Sequence, residues 1–130
     1  AEFEDKPLFL LRNMSRGRGV GFFEAGNFYP DFILWRLHGG KQRITFVDPK
    51  GIRQLSWANE PKLDFYKTIR DVEARLGDAD VSLRSFIVSV TSAAEMAVHW
   101  GVKPKQMAER NILFDEDEQY VQRLIRESSP

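Results

Sequence analysis

The chain has 130 residues, 42% of them hydrophobic and 29% charged, and its 19 basic and 19 acidic side chains give a formal net charge of zero. This composition indicates one folded domain and excludes both a disordered chain and a strongly basic coat for nucleic acid. The absence of cysteine excludes disulfide scaffolds and thiolate zinc sites, and two histidines are too few for a multi-histidine metal cluster. Any metal site must therefore use carboxylates, which bind Mg²⁺, Mn²⁺ or Ca²⁺.

The sequence shows no segment for membrane insertion or secretion. No apolar run approaches the roughly 20 residues that span a bilayer. A charged start followed by an apolar stretch and a small-residue cleavage site is also missing. We therefore expect a cytoplasmic location and no membrane partner. Basic residues outnumber acidic ones in residues 1–53 and the reverse holds in 54–130, which favours the first part for contact with a polyanion.

The first thirty residues predict short elements separated by glycine-rich turns. Leu8–Arg12 is an apolar run that suits either a strand or the end of a helix. Residues 15–19 form a basic stretch interrupted by glycines, which predicts a loop. A strand over 20–24 and a turn over 25–27 are expected to follow.

The clearest pattern in the chain is a β-hairpin. Asp31–His38 and Arg43–Asp48 are both rich in β-branched and aromatic residues, which favour strands. Gly39 and Gly40 lie between them and suit the positive φ angles of a tight turn, so the two strands are predicted to be antiparallel neighbours. Pro49 lacks an N–H group and is predicted to end or bulge the second strand.

The second half of the chain alternates helical and strand patterns. Gly77 is predicted to end a helix, and Val81–Val90 reads as a strand. Ser92 and Glu95 have the capping-box spacing that opens a helix, which we expect to run to Trp100. The helix before Gly77 is indicated by an apolar stripe at helical spacing, made of Leu63, Tyr66, Ile69, Val72 and Leu76.

The last thirty residues predict two further helical segments and a short strand. Pro104–Glu109 suits a helical turn and Asn111–Phe114 a strand. The acidic residues Asp115–Glu118 suit the first turn of a final helix over Asp117–Glu127, because negative charge is favourable at a helix N-terminus. This order of elements predicts a single α/β domain over residues 1–130, with a mixed central β-sheet flanked by α-helices.

Two carboxylates are predicted to meet at the open end of the hairpin. Asp31 begins the first strand and Asp48 ends the second, at equal distances from the turn. Lys50 follows Asp48 by two residues and therefore points to the same face. Two neighbouring carboxylates repel each other unless a cation neutralises them, and a divalent metal together with Lys50 would do so. The alternative is that Asp31 caps a turn and 48–51 form an ordinary strand-ending turn.

These residues resemble the motif of the PD-(D/E)XK nuclease superfamily. Pro30-Asp31 matches its "PD" and Asp48-Pro49-Lys50 matches its "D-x-K". The stretch Leu8–Ile52 is similar to the C-terminal endonuclease region of helicase subunits that resemble type III restriction enzymes. The resemblance implies a restriction-endonuclease-like fold and hydrolysis of DNA phosphodiester bonds that depends on Mg²⁺ or Mn²⁺. It also implies that the chain belongs to a larger protein, with DNA, a helicase/ATPase region and a modification subunit as partners.

The resemblance further assigns roles to individual residues. Asp31, Asp48 and Pro49 would ligate the metal, and Lys50 would be the catalytic lysine together with the two carboxylates. An additional acidic residue is common in the superfamily. Glu24 is the first candidate for it, with Glu4 as the second. Residues that could contact DNA are Arg16, Arg18 and Asn27.

Several alternatives stay open at this point. Arg16 and Arg18 either hold DNA phosphates or belong to a solvated loop. The aromatic residues Phe28 and Tyr29 could border substrate but are predicted to belong to the core, and His99 with Trp100 is predicted to pack. The whole chain could instead be an inactive DNA-binding module on the same fold, or a protein-interaction domain, as its zero net charge allows.

Overall fold

A five-stranded mixed β-sheet with helices on both faces forms the part of the chain that the computed structural model describes, residues 8–13, 20–22 and 28–127. The strands lie in the sheet in the same order as in the sequence. This is a single domain of the α/β class, as the sequence predicts. None of its helices is long and apolar enough to cross a membrane within those ranges. In chain order the elements are β1 (Leu8–Arg12), β2 (Phe32–His38), β3 (Lys41–Lys50), α1 (Phe65–Leu76), β4 (Val81–Ser89), α2 (Ala93–Trp100), α3 (Pro104–Glu109), β5 (Ile112–Phe114) and α4 (Tyr120–Glu127).

The first three strands form an antiparallel meander built around one tight turn. Gly39 and Gly40 have φ angles of 57° and 80°, the left-handed values that a two-residue hairpin turn needs and that glycine adopts without strain. The turn sets the register of β2 and β3, which runs from His38↔Lys41 to Phe32↔Val47. β1 pairs antiparallel with β2 along its whole length, so Leu8–Arg12 is a strand and not a helix end.

The other half of the sheet is parallel. β4 pairs with β3 over nine residues, and β5 pairs with β4 only over Ile87–Ser89. The connection from β3 to β4 contains α1, which ends at Gly77 with φ 67° as predicted. The predicted apolar stripe is only partly correct. Ile69 is buried, but Leu63 lies before the helix and Leu76 on its last turn is exposed.

The hydrophobic core occupies both faces of the sheet. On one face α1 packs against β3 and β4 through Phe65, Phe46 and Leu83. α2 and α3 extend this layer with Met96 and Met107, which pack on Ile87 and Ile112. On the other face α4 contributes Leu124 to a cluster with Leu34, Val47, Phe86 and Val88. Alternate residues of β3 therefore point to opposite layers, which decides on which side each polar residue at its end emerges.

The acidic segment before α4 has a different role from the one predicted. The helix begins at Tyr120, so Asp115–Glu118 precede it and do not form its first turn. Asp117 instead accepts a hydrogen bond from the Gln119 N–H at 2.9 Å, a local bond that competes with helix formation. Glu116 reaches the start of α2 and accepts from the Ala93 N–H at 2.7 Å, beside the predicted cap that Ser92 provides to Glu95 at 3.2 Å.

Five predicted boundaries of the strands are wrong. β2 begins at Phe32 and not at Asp31, and β3 begins at Lys41 and not at Arg43. β3 continues through Pro49 to Lys50, and the physical reason is the side to which Pro49 points, as described below. Val90 lies outside β4. Asn111 precedes β5, and its φ of 58° is a left-handed value that does not occur in an extended strand. In the predicted strand 20–24, Phe22 makes only an isolated bridge with Phe28; residues 23 and 24, with the predicted turn over 25–27 and the predicted loop over 15–19, lie outside the described ranges.

Glu73 on α1 binds the edge of β4 where β5 does not pair with it. Its Oε1 accepts hydrogen bonds from the Leu83 N–H at 2.7 Å and from Arg84 at 3.2 Å. Partial burial alone would raise the pKa of Glu73. The Leu83 hydrogen bond and the charges of Arg70 and Arg84 outweigh this effect, so that the pKa lies below its usual value of 4.5. The contacts of Glu73 with this edge of β4 thus favour its ionised form.

Replacing Glu73 with alanine should lower the free energy of unfolding by about 1–3 kcal/mol, because it leaves the Leu83 N–H without its partner. A lowered pKa means that the ionised carboxylate contributes stability above pH 4.5 and that this contribution is lost as the pH falls through the folded-state pKa. Chemical denaturation at pH 7 and at pH 3 should show the difference between wild type and Glu73→Ala shrinking at the lower pH. Exposed Asp71 on the same helix, changed to alanine, is the control; an equal effect there would contradict the assignment.

Candidate functional site

Asp31 and Asp48 face each other at the open end of the hairpin. The last pair of β2 and β3 is Phe32↔Val47, and the next residue outward on each chain is one of these two aspartates. The backbone N–H of Asp31 donates to Oδ1 of Asp48 at 3.2 Å. The structure therefore places Asp31 and Asp48 next to each other, at the positions that the count of residues from the turn predicts.

Lys50 lies on the same face of the sheet as Asp48. Its ammonium group forms an ion pair with Oδ2 of Asp48. The same ammonium group stands 4.7 Å from the centroid of the Phe28 ring, a cation–π contact. The side chain of Lys50 is 20% exposed, whereas that of Asp48 is 7% exposed. Phe28 belongs to the core as predicted, but the sequence gave no sign that its ring also supports Lys50.

The surroundings of Asp48 disfavour its ionised form. Burial is the largest influence on its pKa and raises it, because the carboxylate has lost water. The hydrogen bond and positive charge of Lys50 lower the pKa, the negative charge of Asp31 raises it again, and the Asp31 N–H lowers it. The balance leaves the pKa of Asp48 above its usual value of 3.8. A cation near the two carboxylates would favour the ionised form.

Pro49 contributes a main-chain carbonyl to this end of the sheet. The Lys50 carbonyl accepts a hydrogen bond from the Val90 N–H on the β4 side at 3.2 Å. Successive carbonyls along a strand point to opposite sides, so that of Pro49 is directed away from β4, where β2 has already ended. The missing N–H of Pro49 faces the same side and costs no ladder bond, which explains why β3 continues through this residue.

The other residues singled out in the sequence lie outside the described ranges. These residues are Glu24, its alternative Glu4, and the candidates for DNA contact, Arg16, Arg18 and Asn27. Within residues 8–13, 20–22 and 28–127, no group of three or more histidine, aspartate or glutamate side chains is placed to hold a metal. The oxygen donors that the described chain offers at this end of the sheet are the carboxylates of Asp31 and Asp48 and, by the alternation of carbonyls along β3, the carbonyl of Pro49.

The segment that follows Lys50 is tied to the helical layer by contacts that the sequence did not reveal. His99 is exposed and its Nε2 lies 2.7 Å from the Arg53 carbonyl oxygen, whereas it was predicted to pack. Trp100 does pack, and its Nε1–H donates to the Leu55 carbonyl at 2.9 Å. The guanidinium of Arg110 stacks 3.6 Å from the centroid of the Trp57 ring. These anchors hold the chain that leaves the site.

A large apolar cavity of about 380 Å³ lies on the opposite face of the sheet, between the strands and α4. Leu34, Val88 and Leu124 are among the residues that line it. Such a lining does not suit a charged substrate. This cavity is therefore not a suitable site for such a substrate, and Asp48 and Lys50 lie on the other face of the sheet.

Comparisons with protein-family models, with curated proteins and with solved structures found no match. The geometry of the chain itself must therefore carry the functional argument.

Replacing Asp48 with asparagine should leave the metal-free protein as stable as wild type or more stable at neutral pH. Because the pKa of Asp48 is raised, the folded state binds more protons than the unfolded chain, and wild-type stability falls as the pH rises from 3.8 through the folded-state pKa. Asparagine removes this titration and still offers an oxygen to the Asp31 N–H. The advantage of Asp48→Asn should therefore grow across that pH range, measured by denaturation with EDTA present.

The matched control is Asp80→Asn, at an exposed position between α1 and β4. This change should not produce the same gain. A marked loss of stability in Asp48→Asn at neutral pH would show that the charge of Asp48 stabilises the fold, contrary to its raised pKa.

Proposed function

We propose that this chain is a metal-dependent nuclease domain with a restriction-endonuclease-like fold that hydrolyses DNA phosphodiester bonds. The observation that carries the proposal is the proximity of Asp31, Asp48 and Lys50 beyond the last pair of the β2–β3 ladder, where the Asp48 carboxylate contacts the other two residues. Their sequence context, Pro-Asp and Asp-Pro-Lys, and the mixed sheet on which they lie both agree with the resemblance to the PD-(D/E)XK superfamily.

The oxygen donors at the site fit a hard divalent cation. Mg²⁺ prefers carboxylate and carbonyl oxygens and keeps several water ligands, so two carboxylates with one main-chain carbonyl are a suitable set. Both oxygens of Asp48 already have a partner, but each keeps a second lone pair. The raised pKa of Asp48 supports the same conclusion, because a cation would relieve the repulsion from Asp31. Asp31, Asp48 and the Pro49 carbonyl are therefore the residues that would hold Mg²⁺ or Mn²⁺, with Glu24 as a further carboxylate.

When bound, such a cation supplies Lewis acidity, which lowers the pKa of water and polarises a phosphoryl oxygen. The chain's own contribution centres on Lys50. Its ammonium group, fixed between Asp48 and the Phe28 ring, can donate hydrogen bonds to the phosphate as negative charge develops there. Because the Phe28 ring covers one side of the ammonium group, the other N–H donors of Lys50 can bind Asp48 and would be available to the substrate.

The proposed place of the domain in a larger system comes from the resemblance alone. It would be the nuclease part of a cytoplasmic, ATP-dependent system similar to type III restriction enzymes. DNA would be its substrate, and the helicase/ATPase region and a modification subunit would be its partners. Arg16, Arg18 and Asn27 are the proposed contacts with the DNA backbone.

Cleavage of supercoiled plasmid in Mg²⁺ and in Mn²⁺ tests the proposal. Asp31→Asn, Asp48→Asn and Lys50→Ala should each reduce the rate at least about 100-fold, since each removes a group that would act at the reacting phosphate, and EDTA should stop cleavage. Lys41→Ala is the matched control for Lys50→Ala, because Lys41 lies at the opposite end of β3 and is exposed. Activity that survives Asp48→Asn or EDTA would refute the metal-dependent reaction.

Measuring DNA binding alongside cleavage separates the alternatives. Binding that weakens steeply with salt, without cleavage in either metal, would identify an inactive DNA-binding module. The absence of both binding and cleavage would favour a protein-interaction domain.

A further inference from the structure

Asn13 occupies a special place beside the proposed site. It is the first residue after β1, and Asp31 is the residue that precedes the neighbouring strand β2. The last pair of the two strands is Arg12↔Phe32, so Asn13 and Asp31 are the next residues outward. The Asn13 N–H donates to the Asp31 carbonyl at 2.7 Å, which continues the pairing by one bond.

The side chain of Asn13 makes three more hydrogen bonds to the backbone. Its Nδ2 donates to the Pro30 carbonyl at 2.8 Å and to the Val20 carbonyl at 2.7 Å, and its Oδ1 accepts from the Val20 N–H at 2.9 Å. Two carbonyls and one N–H require two donors and one acceptor on the same planar group. Among side chains of this length only a primary amide offers them.

These bonds restrain the backbone of Asp31 from both sides. The Pro30 carbonyl is held by the Asn13 amide, and the Asp31 carbonyl by the Asn13 N–H. The remaining group of this stretch, the Asp31 N–H, donates to Asp48. Asp31 lies beyond both strand ladders, so these contacts fix the direction in which its side chain leaves the chain.

We propose that Asn13 is a positioning residue, which orients Asp31 toward Asp48 so that the two carboxylates can hold one cation. This inference rests on the proposed function for the identity of the ligand, but the restraint on Asp31 is a property of the metal-free chain. Groups that orient metal ligands through hydrogen bonds typically change metal affinity 10–100-fold when they are removed. Asn13 would act through these backbone contacts and not as a ligand of the metal.

The test compares Asn13→Ser with Asn111→Ser. Asn111 also donates its side-chain amide to a backbone carbonyl, that of Ser85 at 3.1 Å, but at the start of β5. Hydrogen exchange of the Asp31 amide, followed by NMR in the metal-free protein, should be about tenfold faster in Asn13→Ser than in wild type. Mn²⁺ binding, measured by calorimetry without DNA, should be weaker by about tenfold or more. Asn111→Ser should change neither quantity.

A second variant keeps the shape of the side chain. Asn13→Asp still accepts from the Val20 N–H but places an oxygen against two carbonyls, so it should also speed exchange of the Asp31 amide. Exchange and Mn²⁺ affinity in Asn13→Ser that match those of Asn111→Ser would overturn the inference. If wild type neither binds Mn²⁺ nor cleaves DNA, the proposed function fails, and exchange of the Asp31 amide decides the role of Asn13 by itself: faster exchange supports the restraint and unchanged exchange overturns it.

Discussion

The register that the Gly39-Gly40 turn imposes on β2 and β3 is the constraint on which the site depends. Both glycines have positive φ angles, and because His38 pairs with Lys41 the turn contains these two residues and no more. Every later pair in the hairpin follows from it, up to Phe32↔Val47. A slip of one residue would send Asp48 to the face that carries α4 and would leave Asp31 opposite a different residue. The conformation of a remote turn thus decides which two carboxylates meet.

The ends of the strands determine which groups stay available. A residue within a central strand uses its carbonyl in the ladder. Pro49 lies beyond the last residue of β3 that pairs with β2, so its carbonyl on that side is not used in the β2–β3 ladder. The same arrangement makes a proline acceptable at this position. Asp48 is paired with Ile87 in the parallel ladder and its side chain is buried. Among the described residues, Lys50 and the Asp31 N–H are the groups that favour its charged form. Because β3 extends beyond the end of β2, the Pro49 carbonyl lies outside the β2–β3 ladder at the end of the sheet where Asp48 is buried.

Local patterns in the sequence were sufficient to predict the hairpin, the side of the sheet that Lys50 shares with Asp48, and the capping of α2 by Ser92. Each of these features depends on residues that are close in sequence or related by a fixed repeat. The extent of β3 through Pro49 could not be predicted, because it depends on where a different strand ends. The start of α4 was also missed, since the acidic residue Glu116 bonds to the distant Ala93 N–H.

The supporting contacts of the site lie beyond local patterns for the same reason. Phe28 beneath Lys50 and Asn13 beside Asp31 come from separate parts of the chain, and neither has a distinctive neighbourhood in the sequence. Hydrophobicity predicted the burial of Phe28 but not its contact with a charge. A polar residue after a short strand, such as Asn13, has many possible partners until the sheet is assembled.

Two carboxylates of this chain show how the environment distinguishes a carboxylate that stabilises the fold from one that belongs to the proposed site. Glu73 receives the Leu83 N–H and two arginine charges, so its pKa is lowered and its ionised form stabilises the fold. Asp48 also has a cationic partner, yet burial and the charge of Asp31 raise its pKa, and its ionised form therefore costs stability. A residue that served only the fold would gain nothing from that charge. Raised pKa values of this kind are more common at functional sites, and a cation between Asp31 and Asp48 would lower the pKa of Asp48 again.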